Sequence, residues 1–188
     1  MPNISRVSGL RPVRTLSGKP FRIEEFVLLV ADNTATFVGD LVKLSGTGHT
    51  DGTPAIAQSA AGEASIGVVV GFAPDPTNLN LMYRTAATLR RAFVVVSTDT
   101  VYEIQEDNVG SDMAVTDIGK CGDVAVAAGS TTTGASGMTL DSSNVAAVDA
   151  GGQLRVLRLV PREDNEIGTA AKWEVIIAEH SYLGATDI

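Results

Sequence analysis

Few residues in this 188-residue sequence are suited to catalysis or metal binding. Its two histidines are His49, in a polar loop, and His180, near the end of the chain. Neither has a His, Cys or Glu partner at the spacing of a zinc site. The single cysteine, Cys121, lacks a histidine at a spacing that would indicate a nucleophilic pair, and free cysteines usually behave as small buried hydrophobes. The sequence therefore predicts no metal site and no catalytic residue.

Two loops have the composition of binding loops without their spacing. The glycine-rich segment Gly46–Gly52 lacks the GxGxxG pattern and the Lys-Ser/Thr pair of phosphate loops. The segment Asp107–Asp112 lacks the alternating acids and closing Glu of a calcium loop. The 22 acidic residues offer many carboxylate pairs, but one Trp and three Tyr are a poor supply of aromatic platforms for a sugar. We expect a protein that is not an enzyme and binds no cofactor.

Composition restricts the class of protein further. A hydrophobic fraction of 44% is enough for a core, and the length suits one domain. A formal net charge of −8 and a pI near 4.7 argue against nucleic acid as a partner. No run approaches 18 apolar residues, and no secretory signal is visible, so we expect no membrane span and no secretion.

Short β-branched runs separated by turn clusters predict an all-β fold, either a compact β-barrel or a jelly-roll-like sandwich. Leu89–Val96 and Val101–Gln105 are predicted to pair around the intervening turn. Leu154–Val160 and Trp173–Ala178 are two further strands. In Ile66–Phe72, glycines flank a β-branched run, which indicates a strand that passes close to another backbone.

Two other features concern the core. Trp173 alternates with Val175 and Ile177, so we predict it to be a core anchor. The Gly/Ser/Thr-rich stretch at about 127–152 is nearly free of large apolar groups, and we expect it to be a surface loop or lobe that contributes nothing to the core.

The charge is distributed unevenly along the chain. Residues 1–94 carry 9 basic and 7 acidic side chains, whereas residues 95–188 carry 5 and 15. Residues 1–22 hold five cations before the first acid and no periodic apolar pattern, so we predict an extended basic arm that precedes a single β domain at 23–188. The residues alone leave two interpretations open, a solvated tail or an arm that lies on another subunit.

The order of segments resembles, over nearly the whole chain, capsid decoration (cement) proteins of tailed bacteriophages. The most specific parts are the arm GLRPVR at 9–14, the loop EDNEIG at 163–168 and KWEV at 172–175. Further similar segments are FVGDLVKLSG, IGVVVGF, VYEIQED, TDIGKCGDVAV and GASGMTLDSS.

This resemblance implies a virion protein, made in the host cytoplasm, that binds the outer surface of the expanded head. Its partners would be the major capsid protein and further copies of itself, as a trimer or, less favoured, a dimer. Bridging neighbouring capsomers would stabilise the shell against genome pressure. We expect the arm to contact the capsid or a neighbouring subunit through six residues: Arg6, Val7, Leu10, Arg11, Val13 and Arg14.

Other functions remain open at this stage. A tail-tube or head–tail connector subunit also assembles through β-sheets and loops, and a receptor- or sugar-binding module of the virion is a more distant alternative. The acidic loop with Glu163, Asp164 and Glu166 is expected either to face solvent or to lie at an oligomer axis.

Overall fold

Turn residues divide the β-branched runs of the chain into short strands, and a computed structural model shows how these strands assemble. It describes residues 3–146 and 151–183. The all-β prediction is confirmed: within these residues the regular structure is eleven strands and two 3-10 turns, Val115–Asp117 and Ser181–Leu183. The strands are β1 (Arg11–Thr15), β2 (Ile23–Leu28), β3 (Leu41–Gly48), β4 (Pro54–Gln58), β5 (Gly67–Phe72), β6 (Arg90–Val95), β7 (Thr100–Gln105), β8 (Cys121–Ala125), β9 (Thr139–Ala146), β10 (Leu154–Leu159) and β11 (Lys172–Ile177).

Six strands form an antiparallel sheet in the order β1-β7-β11-β10-β8-β9. The β10–β11 hairpin pairs Val156 with Val175 at its centre. The sheet curls, because the start of β9 returns to the end of β7, where the amide of Asp107 donates to the carbonyl of Leu140 at 2.9 Å. Its concave face encloses Trp173, which is fully buried.

The other five strands close into a small barrel in the order β2-β4-β3-β5-β6. The ring is completed by one parallel contact, Val27 beside Ala55, between β2 and β4. Apolar side chains of all five strands meet inside the barrel, where Phe26 and Ile56 are almost completely buried. The barrel therefore has its own core, separate from the interior of the six-stranded sheet.

The two sheets are joined through side chains that leave the barrel and enter the core of the other sheet. Leu41, Val68 and Val95 belong to barrel strands but pack in the cluster that contains Trp173. At this junction Gly67 lies so close to the carbonyl of Val95 that a Cβ would collide with it. The predicted close backbone approach in 66–72 is thus confirmed.

The predicted pairing of Leu89–Val96 with Val101–Gln105 is wrong. β6 pairs with β2 and β5 in the barrel, whereas β7 pairs with β1 and β11 in the other sheet. The short link between them crosses from one sheet to the other. Every residue of β7 is buried, so this strand needs cover on both faces and a hairpin with β6 would not supply it.

The prediction that 127–152 contributes nothing to the core is also wrong for the part described. Met138 and Leu140 are fully buried in the cluster around Trp173, and β9 forms one edge of the sheet. Small residues allow this segment to lie close to its neighbours: a Cβ on Gly137 would meet the carbonyl of Ala127 at 2.8 Å. Residues 147–150 of this stretch lie outside the described residues.

Truncating Trp173 should test how strongly the larger core depends on it. We expect Trp173→Ala to lower the free energy of unfolding by about 3–5 kcal/mol, because it leaves a cavity at a fully buried position. Urea denaturation measures the change. Trp173→Phe, which keeps a ring, should cost clearly less; equal losses for both variants would mean that ring packing contributes little.

A buried carboxyl beside Trp173 makes stability depend on pH. Glu106 accepts hydrogen bonds from Trp173 Nε1 and from the amide of Met113, both at 3.2 Å, and its Oε1 has no partner among the described residues. Burial raises the pKa of Glu106 above its ordinary value of 4.5. The folded state therefore binds this proton more tightly than the unfolded state, and stability falls as pH rises from about 4.5 through the raised pKa.

Glu106→Gln should remove this dependence while it keeps an oxygen acceptor for Trp173. We expect the variant to be more stable than the wild type at pH 7 and the gap to close as the pH is lowered towards 4.5. Urea unfolding at several pH values measures both effects. A gap that stays constant with pH would show that Glu106 does not titrate differently on folding.

Candidate functional site

The predicted basic arm lies along its own six-stranded sheet. Its first described residue, Asn3, donates from Nδ2 to the carbonyls of Glu166 and Thr169 at 2.7 and 3.0 Å, and its Oδ1 accepts the amide of Glu166 at 2.7 Å. Further along, the amide of Arg6 donates to Oε1 of Gln105 at 2.7 Å. These contacts hold residues 3–10 against the outer face of the sheet, and β1 follows at the sheet edge.

Gly9 and Leu10 anchor the arm at its entry to β1. Gly9 has a φ of +67°, and a Cβ there would lie 2.5 Å from Cβ of Ser136. The next amide, that of Leu10, donates to the carbonyl of Gly39 at 2.9 Å, and the Leu10 side chain is buried in the core cluster. A glycine is needed because both the backbone angle and the available space exclude a side chain.

Leu10 was predicted to be a capsid or subunit contact, and the structure corrects this: at 1% exposure it belongs to the interior of its own chain. Its residue type marked Leu10 as apolar, but type alone could not distinguish core from interface. For the same reason, deleting residues 1–20 would remove Leu10 from the core and β1 from the sheet, and the deletion would damage the fold together with any contact surface. Point substitutions are the appropriate probes.

The other predicted contacts have different environments. Nη2 of Arg14 is paired with Glu174 at 2.7 Å. Val7 and Val13 are exposed by 41% and 45%, so each presents an aliphatic side chain to solvent. Arg6 and Arg11 are exposed, and their guanidinium groups make no hydrogen bond or ion pair with any described residue.

A cleft of about 380 Å³ lies between the arm and the sheet. It brings together Arg6 and Arg11 from the arm side with Lys172 of β11 and Arg162 of the β10–β11 loop. Sequence reasoning missed Lys172 and Arg162, which are about 150 residues from the arm in sequence. The strand register places Lys172 opposite Gln105 and Arg11 opposite Glu103, and no local pattern encodes that register.

Two acidic residues also line the cleft. Nη1 of Arg162 donates to both carboxylate oxygens of Glu103 at 3.1 Å, and its Nε lies 3.4 Å from Asp164. The loop that was predicted to face solvent or an oligomer axis therefore lies partly beside the arm. Glu103 is only 9% exposed, because the sheet and the arm shield its carboxylate from water. Its pairing with Arg162 compensates the free-energy cost of that desolvation.

Glu174 extends this charged face across the sheet. Its carboxylate accepts from Nε and Nη2 of Arg158 at 3.0 and 2.9 Å and from Arg14. Burial raises the pKa of Glu174, but the hydrogen bonds from Arg158 and Arg14 outweigh that effect, and the net pKa lies below the ordinary value. The outer face is thus an ordered network of charges.

A second exposed surface belongs to the barrel, in the loop at 73–89. Arg84 is completely buried and makes five hydrogen bonds, four to backbone carbonyls and one to the carboxylate of Asp32 at 3.2 Å. Arg90 donates to the carbonyls of Ala73, Tyr83 and Leu81. Two arginines therefore fix a loop that has no regular structure of its own.

This loop carries three large apolar side chains that are more than half exposed. Leu79 is 78% exposed, and Met82 and Leu89 are 59% and 52% exposed. Exposed large apolar side chains on one surface loop are candidates for a contact site. Sequence reasoning did not identify this surface, because no sequence pattern indicates that Arg84 and Arg90 would be buried.

The residues first considered for chemistry do not form a site. His180 and Cys121 are buried, and burial lowers the pKa of His180. His49 contacts Asp51 at 3.0 Å within its own loop. In residues 3–146 and 151–183, no group of three or more His, Cys, Asp or Glu side chains could hold a metal ion. The helical segments of this part of the chain are too short and too polar to cross a bilayer.

Comparison with known protein families, with curated proteins and with solved structures found no match.

Substituting Gly9 should release the arm. In Gly9→Ala the new methyl group would collide with Ser136, and we expect faster hydrogen exchange at the amide of Leu10 and faster tryptic cleavage after Arg6. Gly18→Ala is the matched control, because Gly18 has a similar φ of +71° but open space around it. If both variants exchanged alike, backbone strain alone, and not packing of the arm, would explain the effect.

Proposed function

We propose that this chain is a capsid decoration protein of a tailed bacteriophage, bound to the outer surface of the expanded head and bridging neighbouring capsomers. The observation that carries the proposal is the docked arm, whose exposed cations and aliphatic side chains form a surface that is ordered before any partner arrives. The resemblance in segment order, strongest at 9–14, 163–168 and 172–175, supports the same function. The major capsid protein is the proposed partner.

Bridging requires more than one contact surface, and the chain offers two on different sheets. The arm surface, consisting of Arg6, Val7, Arg11 and Val13, lies on the six-stranded sheet. The loop surface, consisting of Leu79, Met82 and Leu89, lies on the barrel. A cement protein that holds two capsomers together could use one surface for each, or one for the capsid and one for a neighbouring copy.

Assembly into a homotrimer would make weak contacts effective. Exposed ion pairs contribute only ~0–1 kcal/mol each, so a single arm surface would bind the shell weakly. Joining several such surfaces in one oligomer raises the apparent affinity by roughly 10²–10⁴-fold when all of them engage together. A trimer suits a junction where three capsomers meet, and a dimer is the alternative.

The sheet edges favour this function over a tail-tube subunit that polymerises by strand addition. Edge strand β1 contains Pro12, and its register shifts between Pro12 and Arg14. The opposite edge strand, β9, has a register shift against β8 between Gly122 and Val124. Proline and bulges at edges hinder the addition of another strand, so contacts through side chains are the expected mode of assembly.

The direct test is sedimentation of the purified protein with undecorated, expanded phage heads. The proposal expects saturable binding at a fixed number of copies per capsid subunit, and that ratio distinguishes dimers from trimers. Absence of binding, together with rings or tubes formed by the free protein, would transfer the assignment to a tail or connector subunit.

A pair of matched substitutions tests the role of the arm surface in the same assay. We expect Val13→Asp to weaken binding to heads by about tenfold or more, because it places a carboxylate in an apolar contact. Val126→Asp is the control, since Val126 is equally exposed, at 46% against 45%, but lies at the end of β8. Thermal melts establish that both variants fold. Equal binding by the two variants would remove Val13 from the contact.

A further inference from the structure

The cations of this acidic chain are paired almost everywhere except in the cleft. Of its 14 Lys and Arg side chains, nine make ion pairs or hydrogen bonds with described residues. The five without such a bond in the described residues are Arg6, Arg11, Lys19, Arg155 and Lys172. Three of these five line the same cleft.

We propose that this cleft binds an extended acidic segment of a partner protein, with Arg6, Arg11 and Lys172 as the groups that recognise its carboxylates. Three like charges held beside one concave surface repel one another, and an anion that enters between them relieves the repulsion. On a protein with a net charge of −8, this local positive potential also directs an acidic ligand to one place.

The acids of the cleft select among anions. Glu103 and Asp164 are paired with Arg162 and line the same cleft, so negative charge is already present beside the unpaired cations. A continuous polyphosphate or nucleic acid backbone would be repelled at those points. A peptide carries its carboxylates on separate side chains, and in an extended segment alternate residues face the same side. Such a segment can present carboxylates to the cations and neutral side chains to Glu103 and Asp164.

A second copy of this chain is a poorer occupant. At one end of the same sheet Asp112 is exposed and Asp107 and Asp141 are half-buried, and neighbouring hydroxyl groups hold each of these carboxylates. Ser142 and Ser143 donate to Asp107 and Asp141 at 2.8 and 2.6 Å, and Thr169 donates to Asp112 at 3.2 Å. Short carboxylate side chains that already accept these hydrogen bonds gain less from entering a cleft on another molecule.

The inference rests on the proposed function for the identity of the partner, which would be an acidic segment exposed on the head, but the class of ligand follows from the cleft alone. The probe is a fluorescein-labelled octaglutamate peptide, whose polarisation is measured with the full chain at about 50 mM salt and at rising salt. We expect saturable binding that weakens as salt increases.

Two double variants separate the cleft from general charge. Arg6→Glu with Lys172→Glu should weaken octaglutamate binding by at least tenfold. Lys19→Glu with Arg155→Glu makes the same change in net charge at the two unpaired cations outside the cleft, and should change binding by less than about threefold. Arg6→Gln with Lys172→Gln serves if the charge-reversed variant does not fold, and should give an intermediate loss.

Several outcomes would overturn the proposal: no octaglutamate binding by the wild type, equal losses in both charge-reversed variants, or tighter cleft-dependent binding of inorganic polyphosphate. Sedimentation equilibrium adds another outcome. If the wild type forms an oligomer and does not bind octaglutamate, and the cleft variant no longer forms the oligomer, a second copy of the chain is the occupant of the cleft.

Head binding distinguishes this proposal from the decoration function. Wild-type protein that binds the peptide but not heads would leave the cleft assignment standing and refute the decoration function. If heads bind the cleft variant as tightly as the wild type, the decoration function would stand. The ligand of the cleft would then not be an acidic segment of the head.

Discussion

The burial of β7 on both faces is the constraint on which the rest of the structure depends. Its inner face places Tyr102 and Ile104 in the core around Trp173. Its outer face carries Glu103 and Gln105, which are 9% and 5% exposed and would be costly to bury without partners. The arm and the β10–β11 loop supply those partners, because Arg6 donates to Gln105 and Arg162 to Glu103. The need to satisfy two polar side chains thus explains why a segment with little folding tendency of its own is ordered.

An ordered arm changes the energetics of any contact it makes. A disordered tail loses conformational entropy when it binds, whereas a segment already fixed by its own sheet has lost that entropy during folding. The loop at 73–89 follows the same principle by a different route, since Arg84 and Arg90 satisfy its carbonyl groups and hold Leu79, Met82 and Leu89 outward. Both surfaces are therefore preformed, although neither consists mainly of regular secondary structure.

The sequence predicted the parts of the fold that local pattern determines. The apolar residues at every second position from Trp173, together with the β-branched runs, indicated the strands. The glycines of 66–72 indicated the close backbone contact at Gly67. The pairing partners of the strands were harder to predict from the sequence, because β6 and β7 follow each other in the chain but belong to different sheets. The candidate site was only half predictable. Arg6 and Arg11 were identified from charge, whereas Lys172 and Arg162 join them only through the register of β1, β7 and β11.

Charge pairing elsewhere in the chain gives the cleft its significance. Glu174 forms ion pairs with Arg14 and Arg158, and Arg162 forms ion pairs with Glu103 and Asp164. Most opposite charges on the outer face are therefore already paired with each other. Arg6, Arg11 and Lys172 remain although the chain has an excess of acids with which to neutralise them. Since isolated surface charges contribute little to folding, a cluster of unpaired cations is better explained by recognition than by stability. A surface that is ordered by folding and left electrostatically incomplete suits a protein whose function is completed by assembly.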